Sequence, residues 1–424
     1  MAIPHTVFSA GGGTASFTTA NATRFITMGG IGAQLPATPG ATEASHKSRI
    51  RGAGDVSRLG CRVTVNTWDN APVLKVRKNG ADTTLTLTLT ALTTGWFVTG
   101  PTGVSFADGD DINLALTTLA GAVKNLNIGA INMRWNPVTG VHNYRQWACR
   151  NSGGLSFSVA GVTRFGPLAG GQGTATPEAT ESRFQTKVKV AGVLAKLQCN
   201  VLTNTRSDAT TILTRKNGAA GAQSISVAAA ATGQFEDTTN SDTVAVDDLF
   251  NYGVTLGAGT GAIVMLHITS RLASNSTDFE TGNASNSTSH GMTVNVPNYF
   301  PVGGDIDGMS TTESTYQQSF PQSLRADRLR VRVTTNSATN SVACNLRQSA
   351  SNTGVGVTVP GSTTGLFEDT SNFAVISGNC NYMWDSPNNA GVAISLVSLR
   401  LNSSTGANTG NPGTFLGIGA LPGQ

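Results

Sequence analysis

The chain has 424 residues, more than one hydrophobic core normally supports, and this length argues against a single domain. Hydrophobic residues make up 39% and charged residues only 12%, which excludes wholesale disorder, because disorder requires low hydrophobicity together with high net charge. The formal net charge of +4 is spread along the chain and not gathered into a basic block, so nucleic-acid binding is not expected.

The N-terminal residues, from Met1 to Phe8, contain neither the basic nor the apolar region of a signal peptide. No stretch approaches 18 consecutive apolar residues. We therefore expect neither export by the usual signal route nor a membrane span. Gly11-Gly-Gly13 and the later Gly257-Ala-Gly-Thr-Gly261 lack the context and the Lys-Ser/Thr ending of a phosphate loop, and both are predicted to be ordinary loops.

The first clear element is a β-hairpin between Val73 and Phe97. Leucine alternates with threonine from Thr84 to Leu89, which predicts one buried and one solvated face. Asn79-Gly80 is a strong hairpin signal, because both residues tolerate the positive φ of a type I′ turn. Gly95 follows, and Phe97 is expected to close the end of a β-sandwich, with a sugar-stacking role as the alternative.

The same pattern returns twice, which makes the chain a threefold repeat. Five residues recur 138 positions later: Cys61, Asn66, Asn79, Gly95 and Phe97 return as Cys199, Asn204, Asn217, Gly233 and Phe235. A third copy lies 132 positions further on and includes Gly365 and Phe367. Three Thr-Glu pairs keep the same spacing upstream: Thr42-Glu43, Thr180-Glu181 and Thr312-Glu313.

The repeat anchors are the residues of the turns and strand ends: Asn79, Gly80, Gly95, Phe97, Asn217, Gly218, Gly233, Phe235, Gly365 and Phe367. The third copy replaces the Asn-Gly turn by the segment Ser349–Gly354. We expect its hairpin to persist with a longer loop in place of the tight turn.

Short strands separated by turns, without a long segment of helical period, predict an all-β chain of three tandem antiparallel β-sandwich domains. About seven to nine strands fit in each unit, which suits a jelly roll, and an immunoglobulin-like topology is the alternative. The predicted domains are 1–140, 141–280 and 281–402, followed by a Gly/Asn-rich C-terminal arm over 403–424. Connectors are predicted at 136–146 and 273–289. The arm carries apolar residues and is a candidate to dock on a neighbour.

Candidate catalytic and metal-ligating residues are few. The five histidines (His5, His46, His142, His267 and His290) and five cysteines (Cys61, Cys149, Cys199, Cys344 and Cys380) show no metal-binding spacing. Carboxylates recur in loops at Asp110-Asp111, Asp247-Asp248, Glu236-Asp237 and Glu368-Asp369. Calcium could use such ligands, but we prefer a role in turns, through side-chain hydrogen bonds. The expectation is a protein without catalytic residues, cofactor or metal.

A basic stripe is predicted late in the chain. Arg325 precedes Arg328, Arg330 and Arg332, and the last three alternate along a likely strand. Alternate residues of a strand share one face, so these arginines should face solvent or an interface, with a polyanion contact as the alternative.

Three features of the repeat resemble segments of virion structural proteins of tailed bacteriophages. They are the Arg-Lys-Asn-Gly hairpin, the strand of alternating threonine, and the Thr-Gly-x-Phe motif followed by acidic residues. In such proteins β-sandwich modules serve as capsid decoration, head-fibre or tail-fibre parts. The resemblance implies a non-enzymatic virion protein, assembled in the host cytoplasm, whose partners are the major capsid protein, other virion proteins and further copies of itself. The alternatives are a tail-fibre or receptor-binding protein that recognises host glycans, and the subunit of a self-assembling filament.

Overall fold

The computed structural model describes residues 6–27, 39–100, 102–120, 124–137, 143–168, 170–171, 177–274, 278–280, 284–292, 295–302, 304–305, 310–385 and 391–402. The first repeat contains ten strands and a 3₁₀ helix: β1 (Thr6–Phe17), β2 (Thr23–Ile26), η1 (Glu43–His46), β3 (Ser48–Arg49), β4 (Gly54–Asn66), β5 (Val73–Lys78), β6 (Ala81–Thr88), β7 (Gly95–Val98), β8 (Gly103–Phe106), β9 (Asp111–Thr117) and β10 (Leu126–Pro137).

The second repeat follows the same order: β11 (Asn143–Phe157), β12 (Thr163–Pro167), β13 (Gly170–Gly171), η2 (Glu181–Arg183), β14 (Thr186–Lys187), β15 (Gly192–Asn204), β16 (Thr210–Lys216), β17 (Ala219–Val227), β18 (Gly233–Glu236), β19 (Ser241–Val244), β20 (Leu249–Leu256) and β21 (Ile263–Ser274). The third comprises β22 (Asp278–Glu280), β23 (Ala284–Gly291), β24 (Asn298–Phe300), β25 (Gly304–Asp305), η3 (Glu313–Thr315), β26 (Gln318–Asn336), β27 (Val342–Gln348), β28 (Ser351–Val359), β29 (Gly365–Glu368), β30 (Phe373–Asp385) and β31 (Val392–Asn402).

Each of the first two repeats folds into two sheets, which are antiparallel except for the short parallel pair of β11 with β13. In the first repeat the strand orders are β1-β10-β4-β7 and β2-β9-β5-β6, with β8 added on β4 and β3 on β9. The second repeat has the equivalent orders β11-β21-β15-β18 and β12-β20-β16-β17. Along the chain the strands of these orders alternate between the two sheets, except at the hairpins β5–β6 and β16–β17, as in a jelly roll. The predicted all-β sandwich class is confirmed, and the chain does not adopt the immunoglobulin-like alternative.

The third repeat has the same layout, but two of its strands are longer. β26 covers the positions of both β14 and β15, so it pairs with β30 at one end and with β31 at the other. β30 likewise covers the positions of β19 and β20. The two sheets of this repeat are therefore continuous, in the order β23-β31-β26-β30-β27-β28.

Buried apolar side chains line the inner faces of the sheets. The leucines at 85, 87 and 89 are buried and the threonines between them are exposed, as the alternation predicts. Cys61, Cys199 and Val331 occupy equivalent places, since each pairs with the phenylalanine anchor of its own repeat. The core of the first repeat is one cluster, whereas the cores of the second and third form a single continuous cluster. The three interiors are thus not wholly separate.

Two segments differ from their predicted roles. β22 lies in the predicted connector 273–289 and β23 begins in it, and both strands pair with β31. The residues of β22 therefore join the sheet of the third repeat, although the predicted boundary assigns them to the second. Gly11-Gly-Gly13 lies within β1, at a register shift against β10, and not in a loop. The described residues do not include 138–142 of the other connector, His5, His142 or the arm 403–424.

The hairpin of the third repeat keeps a two-residue turn, contrary to the prediction of a longer loop. Ser349 and Ala350 connect β27 to β28 with φ values of 47° and 65°. The Asn-Gly turns of the first two repeats also have positive φ at both residues. Because the flanking strands keep their register, serine and alanine are held in a left-handed conformation that asparagine and glycine adopt more readily.

We expect Ala350→Gly to stabilise the protein by about 1 kcal/mol, because glycine lacks the Cβ that disfavours this conformation. The matched control is Gly218→Ala at the equivalent turn, which should destabilise by a similar amount. Urea unfolding midpoints measure both changes. An Ala350→Gly protein no more stable than the parent would show that the turn is not strained.

Candidate functional site

A glutamate and an arginine form the same two-bond ion pair in every repeat. In each, the arginine of the hairpin donates from Nε and Nη2 to the two carboxylate oxygens of the glutamate that begins the 3₁₀ helix. The three pairs, which we call the Glu–Arg clamps, are Glu43–Arg77 (2.7 and 3.1 Å), Glu181–Arg215 (2.9 and 2.8 Å) and Glu313–Arg347 (2.7 and 3.2 Å). Each clamp fastens a 3₁₀ helix to the tip of its hairpin.

The clamp arginines make further contacts that only this side chain provides. Each guanidinium donates to a turn carbonyl and lies over an aromatic ring, with distances to the ring centroid of 5.7 Å for Arg77, 5.6 Å for Arg215 and 5.8 Å for Arg347. The hydrogen bonds that Arg77 and Arg215 donate to the clamp glutamates raise the pKa of both arginines above the usual value. The planar guanidinium of arginine can make two parallel hydrogen bonds to a carboxylate while it stacks on an aromatic ring, which the ammonium group of lysine cannot do.

The Thr-Glu pairs and the Arg-Lys-Asn-Gly hairpins are visible in the sequence, but their contact with each other is not among the predictions made from it. The signal was present, since glutamate and arginine are 34 residues apart in all three repeats. A constant separation of opposite charges across a repeat indicates a shared contact.

The segment after η1 lies against the second repeat. Gln198 of β15 donates to the backbone carbonyl of Arg49 at 3.0 Å, and Asn200 donates to the carbonyl just before β3 at 3.2 Å. Glu236 of β18 forms an ion pair with Arg51. Both side chains of that pair are largely buried. This is the first of three junctions between repeats.

The second junction reuses the same positions. Arg330 of β26 donates to the carbonyl of Lys187, as Gln198 does to that of Arg49. Glu368 of β29 lies 3.0 Å from the Nζ of Lys189, whose side chain is 5% exposed. The segment after η2 thus contacts the third repeat as the segment after η1 contacts the second.

Glu368 is the centre of a charge cluster at this junction. Besides Lys189, it has three cationic neighbours, at 3.4 Å (Lys187) and 3.7 Å (Arg328 and Arg330). The guanidinium of Arg330 is fully buried. Asp247 also pairs with Lys189, and that hydrogen bond lowers the pKa of Asp247. Two carboxylates, of which Glu368 is the more buried, therefore balance the four cations of the cluster.

The third junction connects the last repeat to the first. The guanidinium of Arg62 in β4 donates to the carbonyl of Ser314 in η3 at 3.0 Å, and β25 contacts β1. Val98 stands where the other repeats carry Glu236 and Glu368, and among the described residues no ion pair spans this junction. Because each repeat contacts the next and the third contacts the first, the chain closes into a ring of three similar units.

The predicted basic stripe contributes to the second junction. Arg330 is buried there and Arg328 lies near Glu368, while burial lowers the pKa of Arg332. Arg328 has a φ of 57°, which interrupts the strict alternation expected for the strand. An interface is therefore the role that the contacts support, and Arg330 is not accessible to a polyanion.

The recurring aspartates are aligned differently from the predicted pairing. Asp110 and Asp248 are equivalent, 138 residues apart, whereas the sequence pattern had paired Asp110 with Asp247. Each accepts a hydrogen bond from the asparagine of its hairpin turn, at 2.7 Å from Asn79 and 2.8 Å from Asn217. Ser349 and Cys380 stand at the two positions in the third repeat, so both partners are replaced together.

Asp237 and Asp369 each organise a turn. Asp237 accepts the backbone amides of Thr239 and Asn240 at 3.0 Å and that of Ser224 at 2.9 Å, and Asp369 has equivalent partners. Burial by itself raises the pKa of both carboxyls, but the hydrogen bonds they accept lower it below the usual aspartate value. Among the described residues no group of three or more His, Cys, Asp and Glu could hold a metal ion. The contacts thus support the role in turns.

We expect the variant Asp237→Asn/Asp369→Asn to be less stable at pH 7, by about 2 kcal/mol per site, because the charge-assisted hydrogen bonds are weakened. Since the folded pKa lies below the unfolded value, the carboxylates stabilise the fold fully above about pH 4 and lose this effect as the pH falls further. The gap to the parent protein should therefore narrow in acid. Urea midpoints from pH 7 to pH 2 test this, and a gap independent of pH would contradict it.

The glycine and phenylalanine anchors have structural roles. Gly95, Gly233 and Gly365 have φ values of 115°, 104° and 128°, a region that side chains disfavour, and each begins the strand that carries the anchor phenylalanine. All three phenylalanines are half-buried and pack on the cores. This supports their role in closing the sandwich rather than stacking on sugar.

The remaining candidates do not converge. His267 is buried in β21, and Nδ1 of His46 lies 3.0 Å from the carbonyl oxygen of Thr42, the residue before η1. Cys61, Cys199, Cys344 and Cys380 are buried free thiols, and burial raises the pKa of Cys199 to about 12. These thiols are therefore protonated at neutral pH.

The Gly257–Gly261 loop is filled by the protein's own side chains. Arg206 donates to the carbonyls of Gly257 and Gly261 at 3.0 Å, and Asp208 accepts the amide of Gly259 at 2.6 Å. A carboxylate thus occupies the place that a phosphate cradle would leave open, and the loop prediction is confirmed.

Within the described ranges, no helix is both long and apolar enough to cross a membrane. The chain matches no protein-family model, and a search of curated proteins finds no sequence similar to it.

Proposed function

We propose that the protein is a non-enzymatic structural component of a virion, which decorates or cements the head of a tailed bacteriophage through multivalent protein–protein contacts. Its partners in this proposal are the major capsid protein or other virion proteins, and it assembles with them in the host cytoplasm. The observation that carries the proposal is the ring of three jelly rolls within one chain.

A ring of three similar units suits a place where three shell subunits meet. Icosahedral shells contain such local threefold sites, and each subunit there presents the same surface. One chain with three related surfaces can contact all three subunits at once. The three weak contacts then act as one strong attachment, because the first contact raises the effective concentration of the other two.

The distribution of charge fits a binding protein of this kind. Charged residues are few, and Arg330, Lys189 and Glu368 are used inside the ring, at a junction. An outer surface of hydroxyl and amide side chains loses less hydration free energy on docking than one covered with ions. Contacts with a shell can therefore be extensive without many buried charges.

The alternatives have less support. A filament needs a head-to-tail contact that does not close, whereas the contact between repeats closes within the chain. A glycan-binding fibre tip needs exposed aromatic rings on loops, but the large aromatic side chain exposed among the described residues is Phe373, which lies on a strand. An enzyme needs convergent reactive groups, and the recurring carboxylates are engaged in clamps, turns and junctions.

The test is cryo-electron microscopy and mass spectrometry of purified particles of the phage that encodes this sequence. We expect density for three sandwiches at local threefold positions of the head, with one chain at each site. Recombinant protein should also bind heads that lack it. Absence of the chain from purified particles, or its location at fibre tips together with binding on a glycan array, would overturn the proposal.

A further inference from the structure

The start of β30 is an apolar edge strand that occurs in the third repeat alone. Phe373 and Val375 are 56% and 53% exposed. The equivalent residues of the second repeat, Ser241 and Thr243, are polar. Among the described residues, β26 pairs with one edge of 373–376, and no described strand pairs with the other edge. We call 373–376 the apolar edge.

The described chain ends beside this edge. Arg325 of β26 pairs with Val375 on one side and with Asn402, the last residue of β31, on the other. Neighbouring strands are about 4.8 Å apart, so the chain leaves β31 about 10 Å from Val375. The guanidinium of Arg325 lies 4.2 Å from the centroid of the Phe373 ring.

We propose that the C-terminal segment 403–424 of the same chain covers the apolar edge, with Phe415, Leu416 and Ile418 packed on Phe373 and Val375. Twelve residues separate Asn402 from Phe415, and such a length spans up to about 40 Å. This is ample for a gap of about 10 Å. An exposed edge strand with apolar side chains is prone to pair with other chains, so a covering segment has a physical reason.

Attachment to the same chain favours this occupant over a second copy. Closing a short loop costs little free energy, and a tethered segment has a high effective concentration at the edge. The segment is rich in glycine and small residues apart from its apolar group, so the side chains able to bury area are concentrated near Phe415. The inference does not depend on the proposed function, because it concerns the isolated chain.

The test compares hydrogen exchange of the amides of 373–376 in the full chain and in a chain that ends at Asn402. We expect exchange at least about tenfold faster in the shortened chain, where the edge has lost its cover. Phe415→Ser/Ile418→Ser in the full chain should have the same effect, and the urea midpoint of this variant checks that its folding is unchanged. Val246→Thr is the control, since Val246 is 54% exposed in the second repeat, away from the edge.

Two results would overturn the proposal. Equal exchange in the full, shortened and double-substituted chains would show that the segment does not cover the edge. Protection that appears only at high protein concentration, together with dimers in analytical ultracentrifugation, would show that a second copy supplies the cover.

Discussion

Glu368→Gln is expected to destabilise the protein by about 3 kcal/mol, because buried Arg330 loses the carboxylate beside it while Lys189 keeps its ion pair with Asp247. The carboxylate lies 3.0 Å from Lys189 and within 3.7 Å of the buried guanidinium of Arg330. Glutamine keeps the size of the side chain but removes the charge that balances these cations. The loss should appear as a lower urea midpoint and as faster hydrogen exchange in β14 and β29, on the two sides of the second junction.

Equivalent positions in the other repeats provide graded controls for Glu368→Gln. Glu236→Gln at the first junction should have a smaller effect, because Glu236 pairs with Arg51 alone among the described residues. Val98→Gln at the third junction, where no ion pair is described, should change stability by less than about 1 kcal/mol. Equal losses at Glu368 and Val98 would mean that the charge cluster does not hold the second junction together.

The repeat made the fold predictable, while the ring could not be read from the sequence. The leucine–threonine alternation of β6 and the Asn-Gly turns report on contacts between neighbouring strands, and these depend on local chemistry. The junctions join residues far apart in the chain, such as Gln198 with Arg49, and a single polar side chain on a strand does not reveal what it faces. Only the symmetry of the repeat could have suggested such partners.

Departures from the repeat proved as informative as its matches. Ser349 and Cys380 replace an asparagine and an aspartate that contact each other in the first two repeats. The turn itself persisted with Ser-Ala, because the paired strands on either side impose its geometry more strongly than the turn residues select it. The longer loop was predicted because Ser-Ala has little intrinsic preference for a tight turn, and this prediction neglected the pairing of the two flanking strands. Val98 likewise marks the junction at which no ion pair between repeats is found among the described residues.

Arg215→Ala is expected to destabilise the second repeat by about 2 to 3 kcal/mol, because it leaves Glu181 without its bidentate partner in a partly buried site. Arg215→Lys should recover only part of the loss, since an ammonium group cannot make two parallel hydrogen bonds and stack on Phe165. A double-mutant cycle with Glu181→Gln should give a coupling energy above about 1 kcal/mol. Additive losses in the cycle would contradict a direct clamp.

The clamp variant also tests whether the ring is assembled through the 3₁₀ helices. Glu181 begins η2, and the carbonyl of Arg183 at the end of that helix accepts a hydrogen bond from Ser395 of the third repeat at 3.0 Å. Loosening η2 should therefore increase hydrogen exchange around Ser395 as well as within the hairpin of the second repeat. Lys216→Ala, next to the clamp, is the matched control, and it should leave exchange around Ser395 unchanged because Lys216 pairs with Asp248 and not with the helix. If Arg215→Ala disturbs the hairpin alone, the junction is held by its own contacts, and the clamp serves only the repeat that contains it.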